Sequence, residues 1–457
     1  MVNIPGIHEP TLKACWNYKP PQPFPGGGSE LPFTAENSQK IRELVKFCVF
    51  TKADEEWTTG LKVTYSYPYP IIQYVLHNEV RLIGTQSNNW ALGSQANIDS
   101  AIGQPDYWLH IAQTTSTGAG SGSTTVPVAD LTKVQNVSGG ASICDVYQSN
   151  GTTYLGRVHY TARSGSSGPG TITIPGSGAG SIAVNISGAS IPAGAILKSR
   201  IKTTPSSSTG AFLGNPDSSG YRTWLLGNLT SYRAADPDND RWDGVFLDNV
   251  DIDGHLALDA IPGNVMAAEY ADVAEYLTGV NSLVSWMDSN LPGVLWGNTV
   301  VIDSDGSDWA ATSAALDDVI PFLDGIMFEN YPLDFQGIWP GATRFNNALL
   351  VFDKLTALGK GCLMIGRLDT PGDYPGGEMA EFALAAFLLA WDEKFYCRIS
   401  ETDSYPQWFP YDQFWWRLGR PTQARQVAGN VHTRTFEYGS VTLNAVAQTA
   451  TITRTIT

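Results

Sequence analysis

The chain has 457 residues, 42% of them hydrophobic and 16% charged, so it can bury a large core while its surface is poor in charge beside the roughly 25% of ordinary domains. Its 44 acidic and 28 basic residues give a net charge of −16, which phosphate backbones repel, and nucleic acid is excluded as the main partner. No run of about 18 uninterrupted apolar residues occurs, which excludes a membrane-spanning helix.

The opening MVNIPGIHEP lacks the basic start and apolar stretch of a secretory signal. The expectation is a chain that is cytoplasmic before release, then extracellular or virion-associated by a route such as lysis. Five cysteines (Cys15, Cys48, Cys144, Cys362, Cys397) are odd in number and show no CxxC spacing, so neither a disulfide scaffold nor a zinc ribbon is expected. The first apolar runs, KFCVFT (46–51), PIIQYVL (70–76) and DYWLHIA (106–112), read as strands. From Thr114 to about Gly210 the composition turns to Gly, Ser and Thr with short β-branched runs between turn signals, the pattern of a small all-β module. Only two carboxylates, Asp130 and Asp145, lie in it, which leaves little for acid–base chemistry.

Beyond the module, DGVFLD (243–248), GVLWGN (293–298), DGIMFE (324–329), GCLMIG (361–366) and KFYCRI (394–399) read as further strands. Their near-continuous apolar character suits a parallel sheet covered on both faces. Amphipathic stretches at 267–290, 309–322, 342–358 and 378–390 predict helices between them, with Gly359 at a C-cap position. Eight strands alternating with helices predict a (β/α)8 barrel of the TIM type, with the all-β module inserted after the third strand and a C-terminal β segment. The expected organisation is 1–113 for an N-terminal arm and the first strands, 114–210 for the module, 211–420 for the rest of the barrel and 421–457 for the β segment.

In such barrels chemistry sits at the carboxyl ends of the strands. Those ends carry His77, Asn78 and Glu79, then Asp248, Asn298, Glu329, Arg367 with Asp369, and Glu401 with Asp403. Asp248 and Glu329 stand out because each directly ends an apolar run. A half-buried carboxyl pair whose neighbours separate its two protonation states is what glycosidic-bond hydrolysis requires. Glu329 is the expected general acid/base and Asp248 the nucleophile or base. Asn298, Tyr331, Arg367 and Trp309 are the expected substrate-binding residues, and Trp90, Trp108, Trp339 and Trp408 are further candidates for stacking on sugar rings.

The segments WDGVFLDNVD, FLDGIMFENY and WRLGRPTQARQVAGNVHTRTFEYGSVTLN resemble a glycoside-hydrolase-like barrel family related to the polygalactosaminidase-type glycoside hydrolases. The resemblance covers roughly Gly214–Asn444, and the insert departs from it. It implies that Asp248 and Glu329 are the catalytic pair.

No cofactor and no metal site are expected. NVDIDG (249–254) has the start of a calcium loop but Ala260 at its twelfth position, and DSDGSD (303–308) reads as a solvated turn. The six histidines lack metal-ligand spacing, although His77 and His110 end adjacent predicted strands. The expected partner is a polysaccharide or other glycan, with the β insert serving either glycan binding or docking through homo-oligomer or virion contacts, in the manner of a phage tail protein. The alternative is a non-catalytic carbohydrate-binding or structural particle protein. A metal-dependent hydrolase would need an ion at His77, His110 or Asp248.

Overall fold

The computed structural model describes residues 14–17, 45–50, 69, 71–76, 79–81, 100–137, 142–174, 185–186, 190–203, 211–234, 242–254, 258, 266–299, 309–334, 337–368, 378–401 and 416–455. The chain divides into two compact units. One comprises Met1–Val75, Arg233–Val250 and Asp288–Thr457, and the other Leu76–Tyr232 and Asp251–Met287.

The first unit is built on eight strands: β1 (Ala14–Asn17), β2 (Val45–Phe50), β3 (Ile71–Leu76), β4 (Gly244–Asp248), β5 (Val294–Asn298), β6 (Gly325–Glu329), β7 (Gly361–Leu368) and β8 (Phe395–Glu401). They run in the order β1-β8-β7-β6-β5-β4-β3-β2 and close on themselves. The registers described between them are parallel.

Three rings fix which face is the interior. Trp296 of β5 lies 4.5 Å from Phe47 of β2 and 6.3 Å from Tyr396 of β8, and Phe47 lies 5.0 Å from Tyr396. These strands are not neighbours, so the rings meet inside the closed sheet. Room for the indole comes from two glycines: a Cβ on Gly325 would stand 2.5 Å from it and one on Gly361 2.2 Å. Alternate residues of a strand share a face, and the registers Phe246↔Trp296, Trp296↔Gly325 and Gly325↔Gly361 carry that face across the strands. Phe246 and Asp248, Trp296 and Asn298, Met327 and Glu329, and Leu363, Ile365 and Arg367 therefore all face inward.

The outward residues meet helices. Phe328 packs 5.1 Å from Phe352, which lies 5.8 Å from Phe395. Phe352 belongs to an amphipathic helix, Ala342–Ala357. Two Asp-Gly pairs register the amino ends of the strands. Asp243 accepts from the amide of Ile71 at 2.7 Å, and Asp324 accepts from the amide of Leu295 at 2.8 Å. Each satisfies an amide at the start of the neighbouring strand.

A four-stranded antiparallel meander, Gln426–Ala428, Val431–Phe436, Gly439–Asn444 and Thr449–Arg454, ends the chain. It caps the helix Glu378–Ala390. Arg434 donates to the carbonyls of Leu389 at 2.7 Å and Trp391 at 3.0 Å, where helical carbonyls lack intrahelical partners.

The second unit holds a five-stranded antiparallel sheet, in the order 185–186, 154–160, 142–147, 196–200 and 110–115. A three-stranded sheet (125–128, 170–173, 162–163) and a two-stranded one (211–213 with 79–81) complete it. Val126, Leu131, Val146, Val158 and Leu197 belong to its apolar core. Asp145, between the core residues Cys144 and Val146, faces the other side of the five-stranded sheet and joins an ionic knot there. Arg200 grips Asp145 through Nε at 2.6 Å and Nη2 at 2.7 Å, and the ring of His110 contacts Asp145 at 2.9 Å and Glu269 at 2.7 Å.

The expected (β/α)8 barrel with a module after its third strand is corrected on two counts. Parallel and antiparallel sheets coexist, four of them antiparallel, and among the described residues helices alternate with strands only around and after β4. The strand expected at DYWLHIA also belongs elsewhere: His110–Thr115 pairs antiparallel with Ile196–Arg200. Polar His110 interrupts that run, and a strand covered on both faces of a parallel sheet tolerates such a break poorly. Ala14–Asn17, too short for a periodic signal, occupies a place in the parallel sheet instead.

Candidate active site

Asp248, Asn298 and Glu329 end three successive parallel strands on the inward face. Arg367 lies near the end of the next strand, on the same face. A strand ending in a carboxylate brings that group to the rim of a packed interior, where water is scarce and each polar atom needs a partner.

The four side chains form one connected set. Asn298 Nδ2 donates to Asp248 Oδ1 at 3.0 Å and to Glu329 Oε2 at 3.0 Å. Arg367 Nη2 donates to Glu329 Oε1 at 2.7 Å. Asp248 is 9% exposed, Glu329 8%, Asn298 2% and Arg367 5%, so all are buried yet both acids retain some contact with solvent. One amide thus holds two carboxyls in fixed relation, and a guanidinium neutralises one of them. The backbone braces this arrangement: the amide of Val250, two residues past Asp248, donates to the carbonyl of Asn298 at 2.8 Å.

Tyr331 is not part of the set. It is 1% exposed, its hydroxyl donates to the carbonyl of Ala386 at 3.2 Å and its ring stacks on Phe345 at 5.9 Å. Burial holds its hydroxyl well above the ordinary tyrosine range. Trp309 opens the helix Trp309–Val319. Trp108 is core: it is 0% exposed, its Nε1 donates to Ala101 at 3.2 Å and the Arg200 guanidinium lies 5.1 Å from its ring. Trp339 is half-buried against Phe382 and Phe345. Glu79 opens the strand Glu79–Arg81 of the second unit, and Glu401 is the last residue of β8. His77, Asn78, Trp90, Asp369, Asp403, Trp408 and the DSDGSD loop lie outside the described residues.

One inward cation went unread in the sequence. Arg398 of β8 pairs in register with Ile365, shares its inward face and is 0% exposed. The signal for it was a single arginine within the apolar run KFYCRI.

Among the described residues no group of three or more His, Cys, Asp or Glu side chains is arranged to hold a metal ion. In the NVDIDG loop Asp251 accepts from the amide of Gly254 at 2.9 Å, closing a turn. His110 is engaged by Asp145 and Glu269 in the second unit. Burial works against its charged form, but the hydrogen bonds to the two carboxylates outweigh that and raise it above the ordinary histidine value.

Residues 233–440 match the family model described as hypothetical glycosyl hydrolase family 15. The resemblance to a glycoside-hydrolase-like family therefore holds, and the matched region contains Asp248, Asn298, Glu329 and Arg367. The narrower relation to polygalactosaminidase-type enzymes gains no support from it. Comparison with curated proteins gave no match.

Proposed function

We propose that this protein is a glycoside hydrolase that cleaves a polysaccharide, with Asp248 and Glu329 as the two carboxyls acting on the scissile bond. One observation carries the reading: two buried carboxyls, at the ends of the two parallel strands that flank β5, accept hydrogen bonds from the same amide nitrogen, that of Asn298. Glycosidic-bond hydrolysis uses two carboxyl groups in defined relation, one to protonate the leaving oxygen and one to act on the anomeric carbon or on water. The glycosyl hydrolase-like match spans both.

In this reading Asn298 and Arg367 orient and neutralise the pair rather than hold sugar hydroxyls, because their described donors already point at the acids. Tyr331 packs its ring against Phe328, Phe345, Phe352 and Phe387. Its hydroxyl is committed to a main-chain carbonyl, so it drops out of the substrate-binding set.

The test is turnover on a panel of bacterial surface and extracellular polysaccharides, with wild type beside Asp248→Asn and Glu329→Gln. The expected result is product release by wild type and a loss of about 10³-fold or more in each variant, with unchanged circular dichroism. Turnover that survives both changes overturns the site. Binding by all three proteins without turnover overturns the hydrolase and leaves a glycan-recognition protein.

A further inference from the structure

We propose, resting on the hydrolase reading, that the pair acts by double displacement with net retention of anomeric configuration, Glu329 forming the bond to the sugar and Asp248 carrying the proton, and that the protein therefore also transfers glycosyl groups to alcohols. The argument starts from Asn298. Its Nδ2 carries two hydrogens, and it donates at 3.0 Å to one oxygen of each carboxyl. Two hydrogens on one planar nitrogen diverge by about 120°, which puts the facing oxygens about 5 Å apart. Two 3.0 Å legs meeting at one atom cannot span more than about 6 Å at any angle. Retaining glycosidases hold their carboxyls about 5–5.5 Å apart, and inverting ones about 6.5–9.5 Å, to leave room for the attacking water. The two bridged oxygens thus stand at the separation of the first arrangement.

The division of labour follows from Arg367. Its guanidinium donates to Glu329 Oε1 at 2.7 Å, while Asn298 donates to Oε2. A fixed guanidinium beside one member of the pair favours negative charge there, as a nucleophile needs, and leaves the other member to handle the proton. Glu329 is thus placed as nucleophile and Asp248 as acid, which reverses the roles expected from the sequence.

In the first step a Glu329 oxygen bonds to the anomeric carbon as the bond to the leaving oxygen breaks, and Asp248 gives its proton to that oxygen. In the second, water or an alcohol bonds to the anomeric carbon, the ester to Glu329 breaks and Asp248 takes the acceptor's proton. The pair ends as it began, and an alcohol acceptor gives a new glycoside in place of the free sugar.

The experiment uses the full chain with bacterial extracellular polysaccharides and 4-nitrophenyl α- and β-glycosides, in the presence of methanol, followed by proton NMR. The expected result is a first-formed product, and a methyl glycoside, of the same anomeric configuration as the substrate. First-formed sugar of the opposite configuration, or hydrolysis with no methyl glycoside, overturns retention while leaving the hydrolase reading intact. Absence of turnover on every glycan overturns that reading itself. Sodium azide then tests the roles. Asp248→Ala is expected to yield a glycosyl azide of retained configuration and Glu329→Ala one of inverted configuration, and the swapped pattern overturns the assignment.

Discussion

His110 and Glu269 are joined twice: the backbone amide of His110 donates to Oε2 at 2.9 Å and its ring Nδ1 contacts Oε1 at 2.7 Å. The other ring nitrogen contacts Asp145 at 2.9 Å. An imidazole with a carboxylate at each nitrogen uses donors at both positions only when protonated. Both carboxylates thus bear on this ring, and burial opposes its charge less than the hydrogen bonds favour it. Its folded value is raised above the ordinary one, so its stabilising contribution is fully present below the ordinary histidine pKa and is lost as pH rises through the folded value. The melting temperature of the wild type should therefore fall as pH rises past neutrality, and that slope should flatten in His110→Gln. Equal slopes in the two proteins would remove His110 from the account.

Asp145 and Arg200 form the other half of the knot, both side chains at 0% exposure. Burial pushes the Asp145 carboxyl up, but Arg200 and His110 hold it well below the usual carboxylate range. Removing one partner of such a pair leaves an uncompensated buried charge and costs about 3–5 kcal/mol. Arg200→Met should lose that much in urea unfolding, and the double change with Asp145→Leu should lose distinctly less. Additive losses would show that the two residues stabilise independently.

The later parallel strands were legible because each is an apolar run closed by a polar residue, and Asp248, Asn298, Glu329 and Arg367 were legible as strand-end groups. That they converge follows from alternation combined with register, and register is not written in any single strand. Tyr331 shows where this logic stops. It has the inward parity of Glu329 only if the strand continues, and β6 ends at Glu329. The His110 knot was illegible for a different reason: its members come from positions 110, 145, 200 and 269, which only antiparallel pairing and chain return bring together. DYWLHIA was misplaced because an apolar run identifies a strand but not its sheet.

Trp296 fills its space at the expense of two neighbours. Gly361→Ala would place a Cβ 2.2 Å from Cη2 of the indole, and Gly325→Ala one 2.5 Å from Cζ3. Overpacking a closed interior typically costs about 1–3 kcal/mol. Gly361→Ala should therefore lower the unfolding midpoint in the wild-type background and do so much less in Trp296→Leu, which lacks the ring. The double-mutant cycle measures the coupling directly. A coupling energy near zero would mean that the alanine is accommodated elsewhere.

Asn298 separates two ways of serving the same reaction. If it binds a sugar hydroxyl in ground state and transition state alike, its removal raises KM and leaves kcat. Its amide nitrogen instead spans Asp248 and Glu329, at 3.0 Å from each. Losing a donor aimed at reacting charge typically costs about 10²–10³ in kcat. Asn298→Ala should accordingly depress kcat by that order with KM within a few-fold of wild type. Asn298→Asp should be as poor or worse, since a third acid replaces the donor between two others and repels both. A variant with normal kcat and a raised KM would return Asn298 to the role of a sugar ligand and remove the bridge on which the pair's spacing depends.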